Sequence, residues 1–172
     1  GALRVVNDGD VQIQNGVVFD NGGTVSVESG ELKFLGGGSH SGTFDVQEFG
    51  TIVFERTAHS FSGGIAFTGT GTVRILVPVS LSSDLGLGTT QVVIEGNGDL
   101  GSGFVVSNES GGLLSIGRSM RVTGLTIGGG LKLLSADVRL NVDGLLTLNE
   151  AGTIDNPGTI QASEFVNLGG VI

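Results

Sequence analysis

The chain has 172 residues, 33 of them glycine, with no cysteine, tryptophan or tyrosine and a formal net charge of −9. A mean hydropathy of +0.32 with 15% charged residues is the reverse of the disordered signature, and glycine without a three-residue period excludes collagen. Scattered Lys and Arg on an acidic chain argue against nucleic acid, and without cysteine there is neither a disulfide nor a thiolate metal site.

In chain order, short alternating apolar runs follow one another with no helical period between them. They are Val11-Gln12-Ile13, Val17-Val18-Phe19, Val25-Ser26-Val27, Leu32-Lys33-Phe34, Phe44-Asp45-Val46, Ile52-Val53-Phe54, Ile65-Ala66-Phe67 and Val73-Arg74-Ile75. Then come Val79-Ser80-Leu81, Leu85-Gly86-Leu87, Val92-Val93-Ile94, Phe104-Val105-Val106, Leu125-Thr126-Ile127, Leu131-Lys132-Leu133, residues 138–142, Leu146-Thr147-Leu148 and residues 165–168. Each reads as one short strand with a buried and a solvated face. The interval from 96 to 124 is the least regular, with Gly96-Asn97-Gly98 and Ser110-Gly111-Gly112 as expected loops. The longest stretch free of Asp, Glu, Lys and Arg, residues 57–73, is broken by Gly, Ser, Thr and His59, so no membrane span is expected.

Many runs open with Gly-Thr: Gly23-Thr24, Gly42-Thr43, Gly50-Thr51 and Gly71-Thr72, each followed by apolar residues on alternate positions. Glycine suits a bend with positive φ, and the Thr suits a strand while bonding locally to backbone. The runs are too closely spaced for hairpin arms and match a β-helix, in which three short strands make one rung. Phe34 and Phe54, and Ile65 and Leu85, are 20 positions apart; Phe44 and Ile65, and Ile52 and Val73, are 21 apart. The expected fold is all-β: a single-stranded parallel β-helix, or β-solenoid, with about 20 residues per rung and roughly eight rungs. Six of the nine phenylalanines lie between 34 and 67, which predicts an aromatic interior there. Residues 1–172 are expected to form one β-helix domain; the start Gly1-Ala2-Leu3 suggests a piece of a longer repeat protein.

The segment from Gly22 to Ile75, including residues 36–44 and 58–63, resembles the glycine-rich repeats of large extracellular and autotransporter-type surface proteins. The resemblance implies a right-handed parallel β-helix serving as stalk, passenger domain or adhesin. It also implies an extracellular or cell-surface location.

Chemistry-bearing residues are few. His40 and His59, 19 residues apart, could stack on adjacent rungs as candidate metal ligands, with Asp45 or Glu55 as a third donor for zinc. The better reading puts both at equivalent bends, bonded to backbone. Asp8, Asp10, Asp137 and Asp143, with Arg118, Arg121 and Arg139, are the groups a polysaccharide lyase or hydrolase would draw on; solvated surface charge is the better reading. Gly38-Ser39-His40-Ser41-Gly42 resembles the histidine motif of polygalacturonases, whose other motifs are absent. Gly96-Asn97-Gly98-Asp99 is a partial calcium-roll match, Asn108-Glu109-Ser110 a formal glycosylation sequon, and Thr68-Gly69-Thr70-Gly71-Thr72 a local hint of an ice-binding array. The expectation is a non-enzymatic structural or adhesive segment without cofactor. Its partners would be a protein or polysaccharide ligand, or further copies of itself through the end rungs. The alternatives are a carbohydrate-active or polysaccharide-binding β-helix and, less favoured, an ice-binding solenoid.

Overall fold

A computed structural model of the protein describes every residue except 97, 99 and 102–104. Among the described residues there are strands and no helix, and every paired strand is parallel to its neighbour. The chain winds as a β-solenoid of about eight turns whose equivalent residues lie about 20 apart.

Each turn contributes up to three walls. The second wall is the most regular, formed by the ends of β1 (Ala2–Ile13), β2 (Thr24–Phe34) and β4 (Thr43–Phe54), followed by β7 (Thr72–Ile75), β10 (Gln91–Ile94), β12 (Leu113–Ile116), β15 (Gly130–Leu133) and β17 (Thr153–Asp155). The first wall holds the opening residues of β1, β2 and β4. It continues in β6 (Ala66–Thr68), β9 (Leu85–Gly86), β11 (Val105–Asn108), β14 (Gly124–Ile127) and the ends of β16 (Arg139–Leu148) and β18 (Thr159–Asn167). The third wall holds β3 (Gly38–His40), β5 (His59–Phe61), β8 (Val79–Leu81), β13 (Met120–Val122) and the opening residues of β16 and β18.

Alternation along each strand becomes columns along the axis. In the second wall Leu32, Ile52, Val73, Val92, Leu114, Leu131 and Ile154 stack in register, beside Phe34, Phe54, Ile75, Ile94, Ile116 and Leu133. These columns belong to one apolar core that runs from Val5 to Ile154. The phenylalanine-rich interior lies where the sequence predicts it: Phe34 and Phe54 stack at 5.3 Å and Phe44 and Phe67 at 5.7 Å, all four buried. Phe49 departs from it. It falls at a corner opposite Ser29 and is 76% exposed.

Several expectations change. Phe44 pairs with Phe67, not Ile65, because the turn after β5 bonds Ile65 N–H to Ser62 O at 3.1 Å and, with Gly64 at φ +96°, adds two residues to that rung. Residues 17–19 form no strand; the N–H of Phe19 bonds Gly37 O at 3.0 Å, while Val17 and Val18 are exposed. The interval from 96 to 124 contains β11, β12 and β13, so its described part is as regular as the rest beyond residue 104; Ser110 and Gly111 do turn. The run beginning at Phe104 keeps its strand from Val105 onward, Phe104 itself lying outside the described residues. The loop expected at Gly96-Asn97-Gly98 and the calcium-roll match through Asp99 also fall partly outside them.

The glycine of the Gly-Thr repeat has a different reason from the one expected. Gly23, Gly42, Gly50 and Gly71 all lie outside the positive-φ region. A Cβ on them would overlap the carbonyl oxygens of Gly1, Gly23, Val27 and Gln47 on the preceding turn. The repeat marks where neighbouring turns approach backbone to backbone. The threonine's contribution comes from its N–H: Thr43 donates to Gly23 O at 2.8 Å.

Candidate functional site: a buried histidine pair

β3 and β5 are adjacent strands of the third wall, in a register that sets Gly38 opposite His59 and His40 opposite Phe61. The histidines are therefore offset by two residues and do not share a column. They still meet, because Gly38 has no side chain and the His40 ring leans into the space beside it. A Cβ on Gly38 would lie 3.2 Å from His40 Cε1 and would overlap the Phe19 carbonyl. The result is a diagonal contact with His40 Nε2 and His59 Nδ1 2.9 Å apart and ring centroids 5.1 Å apart.

The pair is enclosed. His40 is 0% and His59 2% exposed. Around them stand Phe34, Phe44, Phe54 and Phe61, with Phe54 edge-on to His59 at 4.9 Å and Phe44 edge-on to His40 at 5.2 Å. Neither His40 Nδ1 nor His59 Nε2 has a hydrogen-bond partner among the described residues. Burial lowers both rings from the ordinary 6.5 to about 4, and for His40 the neighbouring His59 lowers it further while Asp20 pulls the other way. Both rings are thus neutral at neutral pH, one donating to the other.

The two rings do meet on adjacent turns, two residues out of register, whereas the favoured placement at equivalent bends is overturned: His40 ends β3, His59 opens β5, and both face the core. Asp45 does not complete a metal set. It faces outward and accepts hydrogen bonds from Thr68 Oγ1 at 2.9 Å and Gln47 Nε2 at 2.9 Å. No cluster of three or more His, Cys, Asp or Glu suited to a metal occurs among the described residues. Burial also removes His40 from any role like that of the polygalacturonase histidine, which must reach substrate.

The other candidates disperse over the exterior. Asp10 accepts from Lys33 Nζ at 3.0 Å, and Glu31 closes on the same nitrogen at 2.6 Å. Arg121 pairs with Asp143 at 3.3 Å. Arg4 with Glu28, Arg74 with Glu95 and Lys132 with Asp155 repeat the pattern, each joining one turn to the next. Hydrogen bonding to Glu28 raises the Arg4 pKa, and hydrogen bonding to Glu31 and Asp10 raises that of Lys33. Arg118 and Arg139 flank Ser119, whose hydroxyl accepts from Arg139 N–H at 2.9 Å; Asp137 is exposed, and its backbone N–H donates to Ser135 Oγ at 3.2 Å. Asp8 is exposed on β1, beside the register shift between Val6 and Asp10.

Asn108, the sequon residue, is buried and faces inward. Its amide donates to Gly130 O at 2.7 Å and its oxygen accepts from Gly128 N at 3.1 Å, so the folded protein does not offer it for glycosylation. Asn21 caps a turn in the same way, donating to Thr43 O at 3.0 Å and accepting from Gly23 N at 3.0 Å. The threonine cluster divides between walls, Thr68 ending β6 on the first and Thr72 opening β7 on the second. No protein-family description matches the chain, and no curated protein or solved structure matches it significantly.

Proposed function

We propose that this chain is a non-enzymatic structural and adhesive segment of an extracellular or cell-surface β-solenoid, akin to the glycine-rich repeats of autotransporter-type proteins. The observation that carries the reading is the use made of its charges. The carboxylates that polysaccharide chemistry would draw on are exposed and lie in two groups far apart along the winding, Asp8 and Asp10 on β1 and Asp137 and Asp143 before and within β16. Asp10 and Asp143 bind cations on the adjacent turn, whereas paired acids for hydrolysis must converge on one bond. The groups that could act together, His40 and His59, are sealed in the core.

The mechanism is mechanical. Backbone ladders and stacked columns make a stiff rod, and the polar outer walls present contacts to a protein or polysaccharide. The two ends add a second kind of contact. Val17 and Val18 are exposed near the first turn, and Phe165, Leu168, Val171 and Ile172 near the last, where Phe165 and Ile172 join Leu146, Ile154, Ile160 and Ala162 in lining an open cavity of about 310 Å3. As an isolated segment, with these strand edges and apolar residues uncovered, copies of the chain are expected to associate end to end. The reading is tested by incubating the protein with acidic and neutral polysaccharides and assaying reducing and unsaturated ends. We expect no turnover above a heat-denatured control. Reproducible release of either product would replace this reading with a carbohydrate-active one.

A further inference from the structure

Two titratable rings lie in the most aromatic part of the core, and the proposed rod function makes no use of them. A neutral pair holds two protons on four ring nitrogens. One proton lies between His40 Nε2 and His59 Nδ1, and one is on an outer nitrogen, so a single outer lone pair remains. A third proton fits there and leaves the His–His hydrogen bond intact, at the cost of a charge enclosed by phenylalanines. A fourth proton has only the shared acceptor to occupy. Both facing nitrogens would then be donors 2.9 Å apart on adjacent cations, and the contact must break.

We infer that the His40–His59 pair is an acid-operated latch: while neutral it ties β3 to β5, and on full protonation it parts and loosens the turns between residues 34 and 67. Little stands nearby to compensate the charge. Among the described residues Asp20 is the one acid that acts on either ring, and its carboxylate already accepts the Ser39 N–H at 2.8 Å. The charged groups on the elements packed against the pair are directed elsewhere. Lys33 and Glu31 of β2 pair with each other on the exterior, Asp45 of β4 bonds outer-wall residues, and Glu48 of β4 is exposed. Next to these strands, Glu55 is half-buried, Arg56 is exposed, and Asp84, after β8, accepts from Val105 N–H.

The direction follows from linkage. Both histidines hold protons less tightly in the fold than in the open chain, so the stabilisation is complete above pH 6.5 and is lost as pH falls toward 4. Each ring then weakens the closed state by up to about tenfold per pH unit.

The test is hydrogen exchange on the intact chain at pH 7, 5.5 and 4.5, corrected for intrinsic rates, with histidine ring shifts followed by NMR over the same range. We expect protection in residues 34–67 to fall at least about tenfold more than in residues 113–148, which contain no histidine, with both rings still neutral at pH 6. The His40→Leu/His59→Leu variant should lose the difference. If that variant is already unprotected at pH 7, the wild-type shifts decide. Rings titrating near 6.5, or equal loss of protection in both segments, would overturn the latch.

Discussion

Gly71 shows how a residue read correctly as structural can be so for an unforeseen reason. Its bend was legible from the repeat; the need for glycine was not, because it arises from Gln47 on the preceding turn, whose carbonyl fills the place of a Cβ. Gly86, in β9, has nothing within 4 Å of that position among the described residues and a φ outside the left-handed range. Gly71→Ala should therefore cost about 1–3 kcal/mol of unfolding free energy, as overpacking does. Gly86→Ala should change it by less than about 0.5 kcal/mol. Urea titration of the two variants checks the contrast, and equal effects would contradict the close-approach explanation. The histidines were half legible in the same sense. Their 19-residue separation places them on adjacent turns, but the offset register and the role of Gly38 depend on strand pairing that no local pattern encodes.

Strands whose inward positions are all apolar were readable. In β7 and β10, Val73 and Ile75, Val92 and Ile94 announce the buried face. The strands that were missed hide that alternation. β3 turns Gly38 and His40 inward, β12 carries apolar residues in both phases, and β17 has Ile154 alone. Glycine and histidine at interior positions read as loop, although here one makes room for the other. At this scale stability resides in the columns, so position within a column outweighs residue type. Phe54 is fully buried between Phe34 and Ile75, whereas Phe49, five residues earlier on the same strand, is 76% exposed. Phe54→Ala should cost about 3–5 kcal/mol, and Phe49→Ala should stay within about 0.5 kcal/mol. Thermal or urea unfolding compares them directly, and a large loss from Phe49→Ala would mean that this corner packs differently.

Over the whole molecule, about eight turns share one core, and the outer charges are used largely between neighbouring turns. That arrangement suits a rod better than a pocket, and it places the histidine pair as a local exception inside an otherwise uniform stack. The fold was legible because repetition multiplies a weak local signal; function was not, since a repeat specifies stacking and leaves the partner open. The absence of cysteine gives a clean background for the most direct test, disulfide trapping across turns. Ser107 and Thr126, and Ser60 and Ser80, are register partners about 4.8 Å apart, within the span of a disulfide. Ser107 and Thr147 lie two turns apart, roughly 10 Å, outside it. Paired cysteine variants at the first two sites should oxidise rapidly within one chain, and the Ser107/Thr147 pair should not. Failure of both register pairs, or closure of the two-turn pair, would contradict the stacked solenoid.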